Sequence, residues 1–80
     1  MNADTIQIKA FGMISEIIQT DQLEFPYQPD TEGLIKALNE KFPELRSMKY
    51  SIAINKKMVL GKAIIPLGAE IALMPPFSGG

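Results

Sequence analysis

The chain has 80 residues, 46% of them hydrophobic, and its 8 basic and 9 acidic side chains give a formal charge of −1. A chain of this length forms one domain with a small core. The absence of Cys and His excludes disulfide scaffolds, thiolate nucleophiles, cysteine-based metal sites and histidine general bases. If the protein takes part in catalysis, we therefore expect it to act as a substrate, carrier or regulator, with no bound metal or cofactor.

Charge is segregated along the chain. Residues 1–40 carry two bases and seven acids, a net −5, and residues 41–80 carry six bases and two acids, a net +4. A segregated basic surface can steer an acidic partner, although a plain solvated surface explains the pattern equally well. No Arg-rich motif predicts nucleic-acid binding. No signal peptide or apolar run of about 18 residues is visible, so we expect a cytoplasmic protein without a membrane segment.

Two short strands are predicted near the start of the chain. Apolar and polar residues alternate over residues 6–11 and again over residues 22–25, as they do in half-buried strands. Gly12 ends the first strand, and the apolar stretch 13–18 is a turn or a short helix. The two strands are therefore expected to form an antiparallel hairpin.

One main helix is predicted in the middle of the chain. Asp30 or Thr31 can cap its free N–H groups, and Pro43 stops it at or near Phe42. A connector follows over residues 43–50. The apolar residues of the helix recur at helical spacing and form one stripe, which consists of Leu34, Ile35, Leu38 and Phe42.

The second half of the chain adds three predicted strands. The first spans residues 51–55 and leads into a turn, because Asn55 tolerates left-handed backbone angles. A brief return strand follows over residues 58–60. Residues 61–69 form an irregular connection, and the last strand spans residues 70–74.

This order of elements predicts an α+β fold. One helix can cover only one face of the sheet, so the other face is partly wet or meets a partner. We expect a β-grasp layout, in which a mixed sheet of four to five strands packs on one main helix and the first and last strands are central neighbours. Residues 1–74 form this domain, and residues 75–80 form an extended C-terminal tail.

Two apolar residues break the strand alternation. Phe11 is in phase with Lys9, and Met74 is in phase with Glu70, so both fall on the face that should be polar. On neighbouring strands they would form part of an exposed apolar patch, which Met58 could join, and such patches usually bind partners. Alternatively, strand twist tucks Phe11 and Met74 under loops.

The most specific feature of the sequence is its C-terminal end, Pro75-Pro76-Phe77-Ser78-Gly79-Gly80. Pro-Pro cannot continue a sheet and projects the tail from the domain, where Phe77 can anchor it to a partner and Ser78 adds a small polar contact. Gly79 and Gly80 lack a Cβ, so they can thread a narrow channel and leave the terminal carboxylate open to attack once it is activated. The alternative is an inert, frayed terminus.

An 80-residue grasp-type domain that ends in Pro-Pro-x-x-Gly-Gly resembles the small subunit of molybdopterin synthase, the ubiquitin-like MoaD sulfur-carrier family. The resemblance covers essentially the whole chain. Its internal motifs are weaker than the tail; they are Phe11-Gly12-x-Ile14-x-Glu16, Thr31-x-x-Leu34-x-x-x-Leu38, Ala53-x-Asn55 and Glu70-Ile71-Ala72-x-x-Pro75-Pro76.

The resemblance implies a mechanism. A ubiquitin-activating-like adenylyltransferase uses ATP to adenylate the Gly80 carboxylate, and a sulfur donor converts the adenylate to a thiocarboxylate, a C-terminal 1-thioglycine. The tail then enters the large synthase subunit, which holds the catalytic residues and converts cyclic pyranopterin monophosphate to molybdopterin. Phe11, Met58 and Met74 match family positions that form an apolar docking surface, and the expected assembly is a hetero-oligomer.

Three other functions stay open. A sulfur carrier for thiazole synthesis also ends in Gly-Gly, and a ubiquitin-like protein modifier would be joined through Gly80 to lysines of its targets. The third is a plain interaction domain whose tail is incidental.

Overall fold

The computed structural model describes residues 4–75. This part of the chain contains five strands, two α-helices and one 3₁₀ helix. In chain order they are β1 (Thr5–Ala10), α1 (Met13–Ile18), β2 (Gln22–Pro26), α2 (Thr31–Lys41), the 3₁₀ helix (Pro43–Ser47), β3 (Ser51–Ile54), β4 (Lys57–Val59) and β5 (Glu70–Met74).

The five strands form one mixed sheet in the order β2-β1-β5-β3-β4. Strand β1 pairs antiparallel with β2 and parallel with β5, while β3 pairs antiparallel with both β5 and β4. The first and last strands are therefore neighbours near the middle of the sheet, which confirms the predicted β-grasp layout.

The core lies between one face of the sheet and the helices. Alternate residues of each strand point into it, as the sequence alternation predicts. Helices α1 and α2, the 3₁₀ helix and the loop before β5 supply the rest. The largest fully buried side chains are Ile6, Ile8, Ile14, Leu34, Leu38, Leu45, Ile65, Ile71 and Leu73.

Helix α2 begins where the sequence predicts. The Asp30 side chain accepts a hydrogen bond from the Gly33 amide at 2.9 Å, which caps the first turn. The predicted apolar stripe is wrong at Ile35, whose side chain is 37% exposed. Successive helical residues are about 100° apart, so Ile35 lies beside the buried row that Leu34 and Leu38 occupy rather than within it.

Three local predictions need adjustment. The connector 43–50 contains the 3₁₀ helix, which buries Leu45 under α2. The hairpin between β3 and β4 turns on Asn55 and Lys56 alone, both at positive φ, so β4 lies one residue earlier than the predicted 58–60. Residues 61–69 are irregular as predicted, yet they add Ile65 and Ala69 to the core. Within the described residues, no helix is long and apolar enough to cross a membrane.

Candidate functional site

The face of the sheet opposite the helices carries the candidate site. One row of register partners crosses this open face through all five strands, in the order Gln22, Lys9, Ala72, Ala53 and Met58. The row is polar on β2 and β1 and apolar on β5, β3 and β4. In the described chain, neither α-helix packs on this face, because the buried residues of α1 and α2 belong to the core on the opposite face.

Phe11 lies at the edge of this open face, beyond the end of β1. Its amide donates a hydrogen bond of 3.1 Å to the Leu73 carbonyl, which continues the parallel β1–β5 ladder by one residue and puts Phe11 level with Met74. Its side chain is 49% exposed. Phe11 therefore lies on the open face, as its phase with Lys9 predicts, and its ring is not covered by a loop of the described chain.

Met74 and Met58 extend the apolar surface across the sheet. Met74 is half-buried and pairs with Ser51 on β3, whereas Met58 is 56% exposed on the edge strand and pairs with Ala53. Ala72 and Ala53 fill the space between them. We call Phe11, Ala53, Met58, Ala72 and Met74 the open-face patch. The three residues predicted from the sequence thus share one face, joined by two alanines that the sequence analysis did not single out.

Charged side chains border the open-face patch. Lys9 Nζ lies 2.7 Å from Glu70 Oε2, and both side chains are partly exposed. The hydrogen bond from Lys9, followed by its positive charge and that of Lys56, holds the pKa of Glu70 below its ordinary value. A shallow depression of about 170 Å³ lies among Phe11, Ala72, Lys9, Lys56 and Glu70. This surface can therefore combine apolar contact with charge recognition.

The first residue of the tail lies beside this patch. Strand β5 ends at Met74, and Pro75 is half-buried close to Gly12. The predicted site residues Pro76, Phe77, Ser78, Gly79 and Gly80 lie outside the described residues. Within residues 4–75, no group of three or more acidic, His or Cys side chains is close enough to hold a metal ion.

Two features of the site escaped the sequence analysis. Lys9 and Glu70 both occupy outward-facing positions in the apolar–polar alternation of their strands. Their ion pair could therefore be predicted once β1 and β5 are known to be neighbours. The closeness of Gly12 to Pro75 depends on the exact length of the β1–β5 pairing.

The acidic first half and the basic second half of the sequence meet at the N-terminal end of α2. There Lys62 Nζ lies 3.9 Å from Glu32 Oε1 and 4.0 Å from Asp30 Oδ2.

Comparisons with known proteins agree with this architecture. The model of the ThiS family matches residues 8–80. A putative molybdopterin converting factor subunit 1 from Pyrococcus furiosus superposes with a TM-score of 0.82 at 15% identity, covering 91% of this chain and 98% of that one. Small archaeal modifier protein 1 from Methanosarcina acetivorans gives 0.75 at 21% identity and covers both chains completely. Its namesake from Haloferax volcanii gives 0.74 at 22%, covering 95% and 99%.

Proposed function

Because the chain belongs to the ThiS family, we propose that it is a sulfur carrier whose C-terminal Gly80 delivers sulfur for the synthesis of molybdopterin. One observation carries the proposal. The Pro75-Pro76-Phe77-Ser78-Gly79-Gly80 sequence lies within the family match and directly follows a central strand of the sheet. The chemistry then belongs to a main-chain carboxylate, which explains how a chain without Cys or His can take part in it.

The proposed reaction has two steps on this chain. A Gly80 carboxylate oxygen attacks the α-phosphorus of ATP, which forms an acyl-adenylate and releases pyrophosphate. Hydrosulfide sulfur then attacks the activated carbonyl; the C–S bond forms, the C–O bond to AMP breaks, and one proton is released. Activation is needed because a free carboxylate is a poor electrophile. The product is a thiocarboxylate, and each dithiolene of molybdopterin would consume two of them.

The open-face patch supports the need for partners. Phe11 and Met58 are about half exposed and flank small alanine side chains, an arrangement that suits a complementary apolar surface. We propose that the patch docks first on a ubiquitin-activating-like adenylyltransferase and then on the large subunit of molybdopterin synthase, in a hetero-oligomer. Both partners must reach Gly80, so both must bind beside the start of the tail.

A second candidate is a ubiquitin-like protein modifier. The likeness to small archaeal modifier proteins over nearly the whole of each chain favours it. In this case the same Gly80 adenylate reacts with a lysine amine of a target and forms an isopeptide bond. The two functions share the activation step and differ in the nucleophile, so one chain can be tested for both.

Intact-mass spectrometry tests the proposal. The chain is incubated with the activating enzyme, ATP and sulfide, and we expect the mass gain of one oxygen replaced by sulfur, located on Gly80 by fragmentation. A variant that lacks Gly80 is the control; it should keep the wild-type fold and gain no mass. No mass gain with a competent activating enzyme would contradict sulfur carriage.

A second assay separates the possible destinations. The thiocarboxylate form is mixed with the large synthase subunit and cyclic pyranopterin monophosphate, and formation of molybdopterin supports the assignment. Transfer only to a thiazole-forming enzyme would favour the thiazole carrier instead. Recovery of Gly80 in isopeptide bonds from cell lysate would favour the modifier.

A further inference from the structure

Gly12 occupies a position that no other residue can fill without disturbance. Its backbone angles are φ 62° and ψ −136°, which L-amino acids with a Cβ rarely adopt. A Cβ added there would lie 2.8 Å from Pro75 Cγ and 3.7 Å from Pro75 Cδ. Carbon atoms in contact normally stand about 3.5–4.0 Å apart. Residue 12 is therefore constrained twice, by its own backbone and by the first residue of the tail.

The chain around Gly12 is held on rigid elements. The Gly12 carbonyl accepts hydrogen bonds from the Ser15 amide at 3.1 Å and from the Ser15 hydroxyl at 2.7 Å. Helix α1 follows at once and is anchored in the core by Ile14 and Ile18. On the other side, the Phe11 amide is bonded to the Leu73 carbonyl. Pro75 thus rests on a surface that cannot yield easily.

We propose that the Gly12–Pro75 contact is a joint that sets the direction in which the tail leaves the domain, and that Gly12 is a positioning residue for reactions at Gly80. This inference rests on the proposed function. Five residues follow Pro75, and they can extend at most about 18 Å. Over such a span, a small change of direction at Pro75 moves Gly80 by several ångströms.

The Gly12–Pro75 contact also links the surface on which a partner docks to the start of the tail. Phe11, a member of the open-face patch, is the residue next to Gly12, so a partner seated on the patch has a fixed relation to the start of the tail. Reactions between positioned groups are highly sensitive to placement, and an error of about 1 Å can cost 100-fold in rate. A misdirected tail should therefore slow the chemistry while leaving docking nearly unchanged.

The chain offers matched controls. Gly61 and Gly68 also have positive φ, 70° and 73°, but an added Cβ at either position would meet no other group of residues 4–75 within 4 Å. Gly61→Ala and Gly68→Ala therefore carry the backbone cost of a glycine replacement without a collision. An effect of Gly12→Ala that both controls lack, and that shrinks when Pro75 is also replaced, then comes from its contact with Pro75.

A double-mutant cycle tests the contact. Single-turnover formation of the thiocarboxylate is measured for Gly12→Ala, Pro75→Ala and the double variant, with saturating activating enzyme. We expect Gly12→Ala to be slower by roughly tenfold or more, with an affinity for the enzyme close to wild type, and Gly68→Ala to react at the wild-type rate. Because Pro75→Ala removes the ring that the methyl group introduced by Gly12→Ala would strike, Gly12→Ala should slow the reaction less in the Pro75→Ala background than in the wild-type chain, and the loss that persists reports the backbone cost at residue 12.

A second measurement does not depend on the function. Ser78→Cys supplies a single thiol for a nitroxide label, and the label broadens the amide resonances that the tail approaches. We expect Gly12→Ala and Pro75→Ala to change the set of broadened amides and Gly68→Ala to preserve it. If Gly12→Ala fails to fold, Pro75→Ala carries the test, since it leaves the Gly12 backbone unaltered.

The outcomes are distinct. An unchanged broadening pattern in Pro75→Ala overturns the joint, and so does an equal loss of rate from Gly12→Ala in the wild-type and Pro75→Ala backgrounds. A changed pattern in the Pro75 and Gly12 variants, with Gly68→Ala unaffected, supports it. Failure of the wild-type chain to gain sulfur contradicts the proposed function alone, because the label still reports the direction of the tail.

Discussion

Lys9 and Glu70 join the two central strands on the open face, with 2.7 Å between Lys9 Nζ and Glu70 Oε2. The pair is diagonal, because Glu70 is the register partner of Gln7 and Lys9 that of Ala72. It lies beside the depression next to Phe11. The ion pair therefore links strand pairing to the surface on which we propose that partners dock.

This ion pair should make stability depend on pH in the acidic range. The Lys9 hydrogen bond and charge lower the Glu70 pKa from its ordinary 4.5, so the native state binds the Glu70 proton more weakly than the unfolded chain does. The stabilisation is complete above pH 4.5 and is lost as the pH falls through the lowered pKa. We expect Glu70→Gln to be less stable than wild type near neutral pH and the difference to shrink in acid, as measured by urea unfolding.

A matched control is Glu44→Gln, which neutralises an exposed carboxylate in the 3₁₀ helix. It should change the pH dependence less than Glu70→Gln does. A stability difference for Glu70→Gln that stays constant from neutral pH to strong acid would contradict the role of the ion pair.

Much of this fold follows from local patterns. Strand alternation and the Asp30 cap predict where β1 and α2 begin, because residues that face the core recur at a regular spacing in the sequence. Strand alternation alone also puts Phe11 and Met74 on the open face, and Met58 is expected to join them from the short strand. The position of Ile35 was less predictable, since a residue beside the apolar row can be covered or exposed depending on how the helix is rotated against the sheet.

Other features arise only from tertiary contact. Ala53 and Ala72 lie side by side in the open-face patch because of the β3–β5 register, which a hydrophobic pattern does not specify to the residue. Ile65 is fully buried although it belongs to an irregular loop, because Tyr27 donates its hydroxyl to the Ile65 carbonyl at 2.6 Å and holds the loop on the core. Such long-range bonds have no periodic signal.

The β3–β4 turn should become more stable with glycine at position 56. Lys56 has a φ of 73°, a left-handed angle that costs an ordinary residue roughly 1–2 kcal/mol, and Asn-Gly is the preferred pair for such a two-residue turn. The entropy that glycine loses on folding offsets part of the gain. We expect Lys56→Gly to raise the free energy of unfolding by about 0.5 kcal/mol, measured by urea denaturation. Lys57→Gly, inside β4, should lower it.

Thr31 should be essential for holding the loop before β5 against α2. Its buried hydroxyl accepts a hydrogen bond from the Ala63 amide at 3.0 Å, and its own amide donates to the Ala63 carbonyl at 2.9 Å. Thr31→Val keeps the shape but leaves the Ala63 amide without its acceptor, which should cost about 1–3 kcal/mol of unfolding free energy. Faster hydrogen exchange at the Ala63 amide would locate the loss.

Thr31→Ser is the control for this effect. It keeps the hydroxyl and removes only a methyl group, which is worth about 0.8 kcal/mol. If the serine variant were as unstable as the valine variant, the loss would come from packing and not from the hydrogen bond.

Phe11 should dominate the binding of partners to the open-face patch. Its ring is half exposed and at the start of the tail, so its removal costs little core packing, whereas a buried aromatic anchor at an interface is commonly worth about 2 kcal/mol or more. We expect Phe11→Ala to weaken binding to the large synthase subunit that we propose as a partner at least about tenfold, in calorimetry, with a melting temperature near that of wild type. Leu67→Ala removes another exposed apolar side chain, from the loop before β5 at the opposite end of that strand from Met74. It should bind normally. Equal losses of affinity in the two variants would mean that the partner does not bind specifically at the open-face patch.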